Sequence, residues 1–121
     1  MVNDNICALS TAAGVGGVAI IRISGPSPLF FAEKMFRPQG KTAVKDFVPY
    51  MLYTGEFDAG SFKDYGMCVY FKAPKSYTGE DMAEYHVHGG IAIVNGLIKR
   101  LTELGCRPAA RGEFTRRAFL N

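Results

Sequence analysis

The stretch Met82-Ala83-Glu84-Tyr85-His86-Val87-His88-Gly89-Gly90, together with residues 91–104, indicates how the chain folds. Apolar and polar side chains alternate in its first part, which is typical of a β-strand with one buried face. After the two glycines, apolar residues recur every three or four positions, which predicts an amphipathic helix. Gly105 follows at the place where glycine commonly ends a helix. We therefore expect a strand and then a helix here.

Further helices and strands are predicted before and after this strand and helix. Ser27 and Pro28 predict the start of a short helix that ends at Pro38. A last helix is expected from about Arg111 to the end of the chain, and residues 39–48 are expected to form a connection. The order of elements predicts an α+β domain with a mixed β-sheet of about five strands and about three helices. β-Branched or aromatic runs predict the further strands at residues 6–10, 18–24, 50–57 and 65–72.

Length and composition describe one globular domain. The 121 residues are 48% hydrophobic and 21% charged, a balance that excludes a disordered chain. No apolar run approaches the ~20 residues of a membrane span, and Asp4 stands where a secretory signal would carry a basic residue. We therefore expect a cytoplasmic protein without a membrane partner.

The three cysteines are widely spaced in the sequence: Cys7, Cys68 and Cys106. This spacing favours buried free thiols over disulfides or a zinc ribbon.

Positive charge is concentrated at the C-terminal end. The net charge of +3 equals that of the last fifteen residues, where Glu113 is the only acid. We expect the anion-seeking surface of the chain in this segment. A solvated helix face and a nucleic-acid-binding surface are alternative interpretations. The basic residues are Arg107, Arg111, Arg116 and Arg117.

The glycine-rich loop before the second strand matches a nucleotide-binding pattern, Gly14-x-Gly16-x-x-Ala19. In dinucleotide-binding proteins this pattern connects a strand to a helix whose first amides hold pyrophosphate. Here the glycines lead into a strand-like run, and no Gly-Lys-Ser/Thr sequence of a P-loop follows. We expect a mobile or substrate-covering loop instead.

Charged side chains on two predicted strands are the candidates for chemistry. Arg22 lies in an otherwise apolar strand, where a guanidinium group needs an anionic partner or a ligand carboxylate. Alternation places Glu84, His86 and His88 on one face of their strand. Three interpretations are open: a metal site, a carboxylate that pairs with a heterocycle such as a pterin, or an ion pair between Glu84 and Arg22.

No arrangement of a nucleophile with its base is visible, and a Gly-x-Ser-x-Gly elbow is absent from the sequence. An autonomous hydrolase is therefore not expected. The loop of residues 76–81 carries Tyr77 at its tip. Such a loop suits the wall of a pocket, although a plain turn has the same composition.

Six blocks of this sequence are distinctive: ICALST (6–11), the loop that follows it through Gly17, AIIRISG (19–25), the loop 76–81, HGG (88–90) and GEFTRRAFLN (112–121). Together they resemble the N-terminal domain of the MnmE (TrmE) family of tRNA-modification GTPases. Members of that family are several times longer and carry a helical domain with an inserted G domain. The resemblance implies that residues 1–121 are an N-terminal fragment from which both of those domains are absent.

This resemblance implies a fold similar to the folate-binding part of glycine-cleavage aminomethyltransferases. It implies a domain that binds 5-formyltetrahydrofolate or another tetrahydrofolate derivative and forms a homodimer. The whole protein would bind GTP, Mg and K in its G domain. With the flavoprotein MnmG (GidA), it would install an aminomethyl-type group on the wobble uridine of tRNA. The fragment alone is expected to lack catalytic activity.

By the same resemblance, Arg22 and Glu84 are the expected folate contacts. A folate offers a pterin edge to a carboxylate and a tail carboxylate to a cation, which favours Glu84 at the pterin, while the sequence itself leaves open which residue meets which end. Tyr77, Arg117 and Asn121 are the further cofactor-binding candidates, and no metal ligand or catalytic residue is implied. A further, usually basic, family contact would fall just past Asn121.

Two departures from the family pattern bear on these expectations. Residues 12–15 lack the family's prolines and basic residue, and Arg111 stands where proline is usual. The alternative function is a dimerisation scaffold in which Arg22 and Glu84 form a structural ion pair and bind no ligand.

Overall fold

A computed structural model describes residues 4–11 and 17–121 and contains one sheet and three helices. The sheet order is β3-β4-β5-β6-β2-β1-β7, and every pairing is antiparallel except the parallel pair β1–β7. The mixed α+β class is thereby confirmed. The strands are β1 (Ile6–Thr11), β2 (Ala19–Gly25), β3 (Phe36–Pro38), β4 (Leu52–Asp58), β5 (Lys63–Phe71), β6 (Asp81–Val87) and β7 (Arg107–Pro108). The helices are α1 (Pro28–Met35), α2 (Gly90–Glu103) and α3 (Glu113–Leu120), and a 3-10 turn spans Val44–Asp46.

The sheet has seven strands rather than the five predicted. The two additional strands, β3 and β7, have three and two residues, which is too short for an alternating pattern to be visible.

The prediction that the first helix reaches Pro38 is wrong. Phe36 has extended backbone angles and pairs with Phe57 of β4. Arg37 continues the strand, in keeping with the bias against helix at the residue before a proline.

The other helix boundaries follow the sequence closely. Pro28 is the first residue of α1, as predicted, although the Ser27 side chain accepts a hydrogen bond from Asn5 instead of capping the helix. Gly105, with φ +108°, follows α2 at the predicted position. The last helix begins two residues after Arg111. In the described part of the chain, no helix has the length and apolarity needed to cross a membrane.

One face of the sheet, called the helix face, is covered by α1 and α2. Alternate residues of the central strands, such as Ile21, Ile23 and Tyr85, are fully buried there and pack with Leu97 and Leu101 of α2. Burial of this apolar surface is the main source of stability of the domain. The cysteines are buried free thiols, as predicted: Cys7, Cys68 and Cys106.

The opposite side of the sheet, called the loop face, carries the intervening residues of the same strands. Arg22 lies opposite Ala8 of β1 on one side and opposite Glu84 of β6 on the other. The loop between β5 and β6 covers one end of this face, where Ser24 hydrogen-bonds the buried Thr78. The prediction of a mobile or substrate-covering loop concerns mainly residues 12–16, which lie outside the described residues.

Candidate ligand site on the loop face

Arg22 and Glu84 form a direct ion pair in the middle of the loop face. The Arg22 Nε donates to Glu84 Oε2 at 2.7 Å, and the two residues are register partners on β2 and β6. The Arg22 side chain is 32% exposed and that of Glu84 is 12% exposed. The expected anionic partner of Arg22 is therefore Glu84, and the guanidinium still reaches solvent.

The second carboxylate oxygen of Glu84 lies 3.1 Å from His86 Nε2. The hydrogen bonds from His86 and from Arg22 outweigh burial and hold the pKa of Glu84 below its usual value. His88 follows the end of β6, and its Nδ1 lies 3.3 Å from the carbonyl oxygen of Tyr65. Residues 4–11 and 17–121 contain no group of three or more His, Cys, Asp or Glu placed to hold a metal ion.

Tyr77 covers Arg22 from the loop between β5 and β6. The guanidinium carbon of Arg22 lies 5.5 Å from the centroid of the Tyr77 ring, within the range of a cation–π interaction. The Tyr77 hydroxyl is 2.8 Å from the hydroxyl of Thr115 in α3. The predicted pocket-lining role of Tyr77 fits this position, because the aromatic ring forms a wall beside the arginine.

A cavity of about 430 Å³ opens next to Arg22; we call it the Arg22 cavity. Its wall runs from β1 across β2 to the segment that precedes α3, and Tyr77 closes one side. Glu84 lies outside the lining, on the other side of Arg22. The lining comprises residues 8–10, Arg22, Tyr77, residues 109–112, Phe114 and Thr115.

Arg117 is buried behind the Tyr77 loop and does not line the cavity. Its guanidinium donates to Asp4 Oδ1 at 2.5 Å, to Glu80 Oε1 at 3.1 Å and to Glu113 Oε2 at 3.3 Å. Burial opposes the charged form, but Glu80 and Asp4 raise the pKa of Arg117 above its usual value. Arg117 therefore ties α3 to the N-terminal strand and to the loop.

Asn121 also packs behind the loop. Its side-chain amide donates to the carbonyl oxygen of Arg117 at 2.9 Å. A Cβ placed on Gly79, whose φ is +81°, would lie 2.8 Å from the Cβ of Asn121. The close approach of the loop to α3 thus depends on glycine at this position.

Glu113 is a buried structural carboxylate that the sequence analysis did not identify. Its oxygens accept hydrogen bonds from Arg107 and from the amide of Ala110. Arg107 lowers the pKa of Glu113 to about 2, and Arg107 also lowers the pKa of Asp4 to about 2. Two of the four C-terminal arginines are thus neutralised within the domain. The spacing of Glu113 and Arg117, four residues apart on one helix, is the signal that would have found this pair.

Together the fold and site define a small α+β domain that holds an arginine–glutamate pair beside a cavity of ligand size. A family described as "GTP-binding protein TrmE N-terminus" matches residues 5–121. The chain belongs to this family, and the resemblance noted from the sequence is confirmed.

Curated relatives agree with the family match. The chain is 49% identical over 120 residues to the tRNA modification GTPase MnmE of Fervidobacterium nodosum, which covers 98% of the chain and 26% of that relative. It is 47% identical over 117 residues to the tRNA modification GTPase MnmE of Chromobacterium violaceum, covering 96% and 25%. The chain spans about a quarter of the length of the curated relatives that it matches.

Proposed function

We propose that this domain binds a tetrahydrofolate derivative on the loop face and pairs with a second copy of itself. The observation that carries the proposal is the Arg22 cavity, in which a cation and an aromatic ring lie next to the ion-paired Glu84. Its volume falls within the ~300–1,000 Å³ typical of small-molecule sites.

The residues at the site fit the chemistry of a folate. A reduced pterin offers an amine and a ring N–H side by side, and an ionised carboxylate accepts both. The lowered pKa of Glu84 keeps this carboxylate charged over the physiological range. An arginine suits the carboxylates of the glutamate tail or the carbonyl groups along the ligand, and Tyr77 offers a flat surface for stacking.

The hydrogen bonds already made by Glu84 leave it able to accept more. One oxygen of Glu84 is held by Arg22 and the other by His86. Because an ionised carboxylate offers about four acceptor positions, a pterin edge can add to these hydrogen bonds or replace one of them. Because Arg22 is a third exposed, its guanidinium has room to turn toward the cavity.

Pairing with a second copy is supported by apolar side chains on the outer part of the loop face. Leu52 of β4 and Tyr65 of β5 are 55% and 68% exposed. Leu52 lies in the same cross-strand row as Glu84, with Val69 between them. A second domain packed here would bury these side chains and enclose the ligand site.

A scaffold that dimerises without a ligand is the second candidate function. The direct 2.7 Å bond between Arg22 and Glu84 favours it, because an internal ion pair also explains an arginine in an apolar strand. In the folate site Arg22 contributes to ligand affinity, whereas in the scaffold its ion pair with Glu84 contributes only to stability.

For the whole protein, we propose the role named for its relatives, tRNA modification. The domain would hold the folate as a one-carbon source in the cytoplasm. GTP, Mg and K would bind in a separate G domain. The flavoprotein MnmG and tRNA would be the partners in forming an aminomethyl-type group on the wobble uridine.

Calorimetric titration of the chain with 5-formyltetrahydrofolate tests the proposal. Arg22→Gln and Glu84→Gln are each expected to weaken binding by about tenfold to a hundredfold, since each removes a charge-assisted hydrogen bond. Arg37→Gln, at an exposed arginine of β3, is the matched control and is expected to bind as the unmodified chain does. Thermal unfolding and sedimentation check the fold and the dimer in each variant.

The outcomes separate the two functions. Saturable binding that is weakened tenfold or more in both folded variants supports the folate site. Unchanged folate affinity in both variants contradicts the assignment of Arg22 and Glu84. Absence of binding by the unmodified chain at millimolar ligand, with an intact dimer, overturns the folate proposal and favours the scaffold.

A further inference from the structure

The Arg22 cavity has an unbalanced charge. Among its described lining residues are two arginines, Arg22 and Arg111, and no carboxylate. Arg22 is compensated by Glu84 from outside the cavity. Arg111 is exposed and forms no ion pair with any carboxylate in the part of the chain that the structure describes. The rim beside Arg111 therefore attracts an anion.

The neighbouring arginines do not share this property. Arg107 and Arg117 are bound to Asp4 and Glu113. Arg116 lies 3.8 Å from Glu113 and is absent from the described cavity lining. Of the four C-terminal arginines, Arg111 alone combines a place in the described cavity wall with a charge that the described carboxylates leave unpaired.

Sheet order places Arg111 at the far end of a line that begins at Glu84. Glu84 is on β6, Arg22 is on the adjacent β2, and Ala8 on β1 follows in the same row. The segment 109–112 continues from β7, which is the next strand after β1. With about 4.8 Å between neighbouring strands, the line from β6 to β7 is roughly 14 Å long. An elongated ligand can therefore contact both ends.

We propose that Arg111 determines specificity by binding the anionic end of an elongated aromatic ligand whose other end lies at Glu84. This inference rests on the proposed function and deepens it. For a tetrahydrofolate, the pterin would lie at Glu84, Arg22 and Tyr77 would contact the middle of the molecule, and the glutamate tail would lie at Arg111. The carboxylates of the tail match the positive charge that the cavity leaves unpaired.

The test compares two ligands that differ only in tail charge: 5-formyltetrahydrofolate and its diamide, in which both tail carboxylates are neutral. Each is titrated calorimetrically against the unmodified chain, Arg111→Gln, Arg111→Lys and the matched control Arg116→Gln. Arg111→Gln is expected to lose about tenfold in affinity for the acid and nothing for the diamide. Arg111→Lys retains most of the affinity, and Arg116→Gln changes neither ligand by more than twofold.

Salt dependence gives a second measurement on the same proteins. Binding of the acid by the unmodified chain is expected to weaken as salt is added, and Arg111→Gln is expected to show a smaller slope.

The results distinguish failure of this inference from failure of the proposed function. If Arg111→Gln binds the acid as tightly as the unmodified chain does, or loses the same factor for both ligands, Arg111 does not bind the tail and the inference is overturned. The folate site at Arg22 and Glu84 then stands. If the unmodified chain binds neither ligand, both proposals are overturned.

Discussion

The two faces of the central sheet are built from the same strands and have opposite properties. On β2, Ile21 and Ile23 point to the helix face and are fully buried in an apolar core. Arg22, between them, points to the loop face, where it binds Glu84 and borders a cavity. Because side chains alternate along a strand, one short segment both stabilises the fold and presents charged groups. Substitutions at Ile21 or Ile23 are therefore expected to change stability, and substitutions at Arg22 are expected to change binding.

A second contrast lies within the loop face itself. Arg117 is 7% exposed and binds three carboxylates, whereas Arg22 is 32% exposed and binds one. A buried guanidinium with several carboxylate partners cannot reach a ligand without leaving the buried Glu113 carboxylate short of a partner, which costs several kcal/mol. Arg117 is thus suited to positioning the Tyr77 loop, and Arg22 is suited to exchanging its partner for a ligand.

The largest expected effect comes from the helix face. Leu97→Ala removes a fully buried side chain of α2 and is expected to lower the free energy of unfolding by about 3 kcal/mol. Urea denaturation followed by circular dichroism measures it. Ile91→Ala, on the same helix at a position that is 65% exposed, is the matched control and is expected to cost less than about 0.5 kcal/mol. Equal costs for the two variants would contradict the assignment of the core to this face.

The next largest effect on stability comes from the ion pairs of Glu113 with Arg107 and Arg117, and it depends on pH. The folded state holds the pKa of Glu113 near 2, below its value in the unfolded chain. The stability this confers is present above about pH 5 and is lost as the pH falls toward 2. Glu113→Gln is therefore expected to lower the free energy of unfolding by about 2 kcal/mol at pH 7, and the difference is expected to vanish near pH 2.

Urea denaturation from pH 2 to pH 7 measures this dependence. Glu103→Gln, at an exposed acid of α2, serves as the control and is expected to follow the unmodified protein throughout. A difference between Glu113→Gln and the unmodified protein that stays constant across this pH range would show that the Glu113 charge is not what matters.

Local pattern predicted most of this architecture, and tertiary pairing accounts for what it missed. The three helices and the five longer strands follow from side-chain periodicity and from glycine or proline at their ends. β3 and β7 are strands because Phe36 and Arg107 meet partners on other strands, and a two- or three-residue run carries no periodic signal.

The site was predictable to a similar extent. Arg22 is conspicuous because it interrupts an apolar strand, and Glu84 because it lies on the polar face of another. Their pairing depends on the adjacency and register of β2 and β6, which periodicity does not determine. The network around Arg117 was missed because it joins Asp4 to a residue 113 positions away, and no local pattern connects them.

The smallest effect tests a buried hydroxyl within the apolar core of the helix face. The Tyr85 hydroxyl is buried and has no hydrogen-bond partner among the described residues. Burial, and the neighbouring thiols of Cys68, Cys106 and Cys7, raise its pKa well above the usual value, so it stays neutral. Folding removes this hydroxyl from water, and no hydrogen bond within the protein replaces its hydration. Tyr85→Phe is therefore expected to stabilise the domain by about 1 kcal/mol.

Tyr53→Phe is the matched control, because the Tyr53 hydroxyl accepts a hydrogen bond from the amide of Val48 at 2.9 Å. Removing that hydroxyl leaves the amide without its acceptor and is expected to destabilise the domain by about 1 kcal/mol. The same chemical change therefore has opposite signs at two tyrosines, and thermal unfolding of the two variants measures the difference directly. If Tyr85→Phe destabilises as much as Tyr53→Phe does, the Tyr85 hydroxyl is hydrogen-bonded in solution. The core of the helix face would then contain a buried hydrogen bond in addition to its apolar contacts.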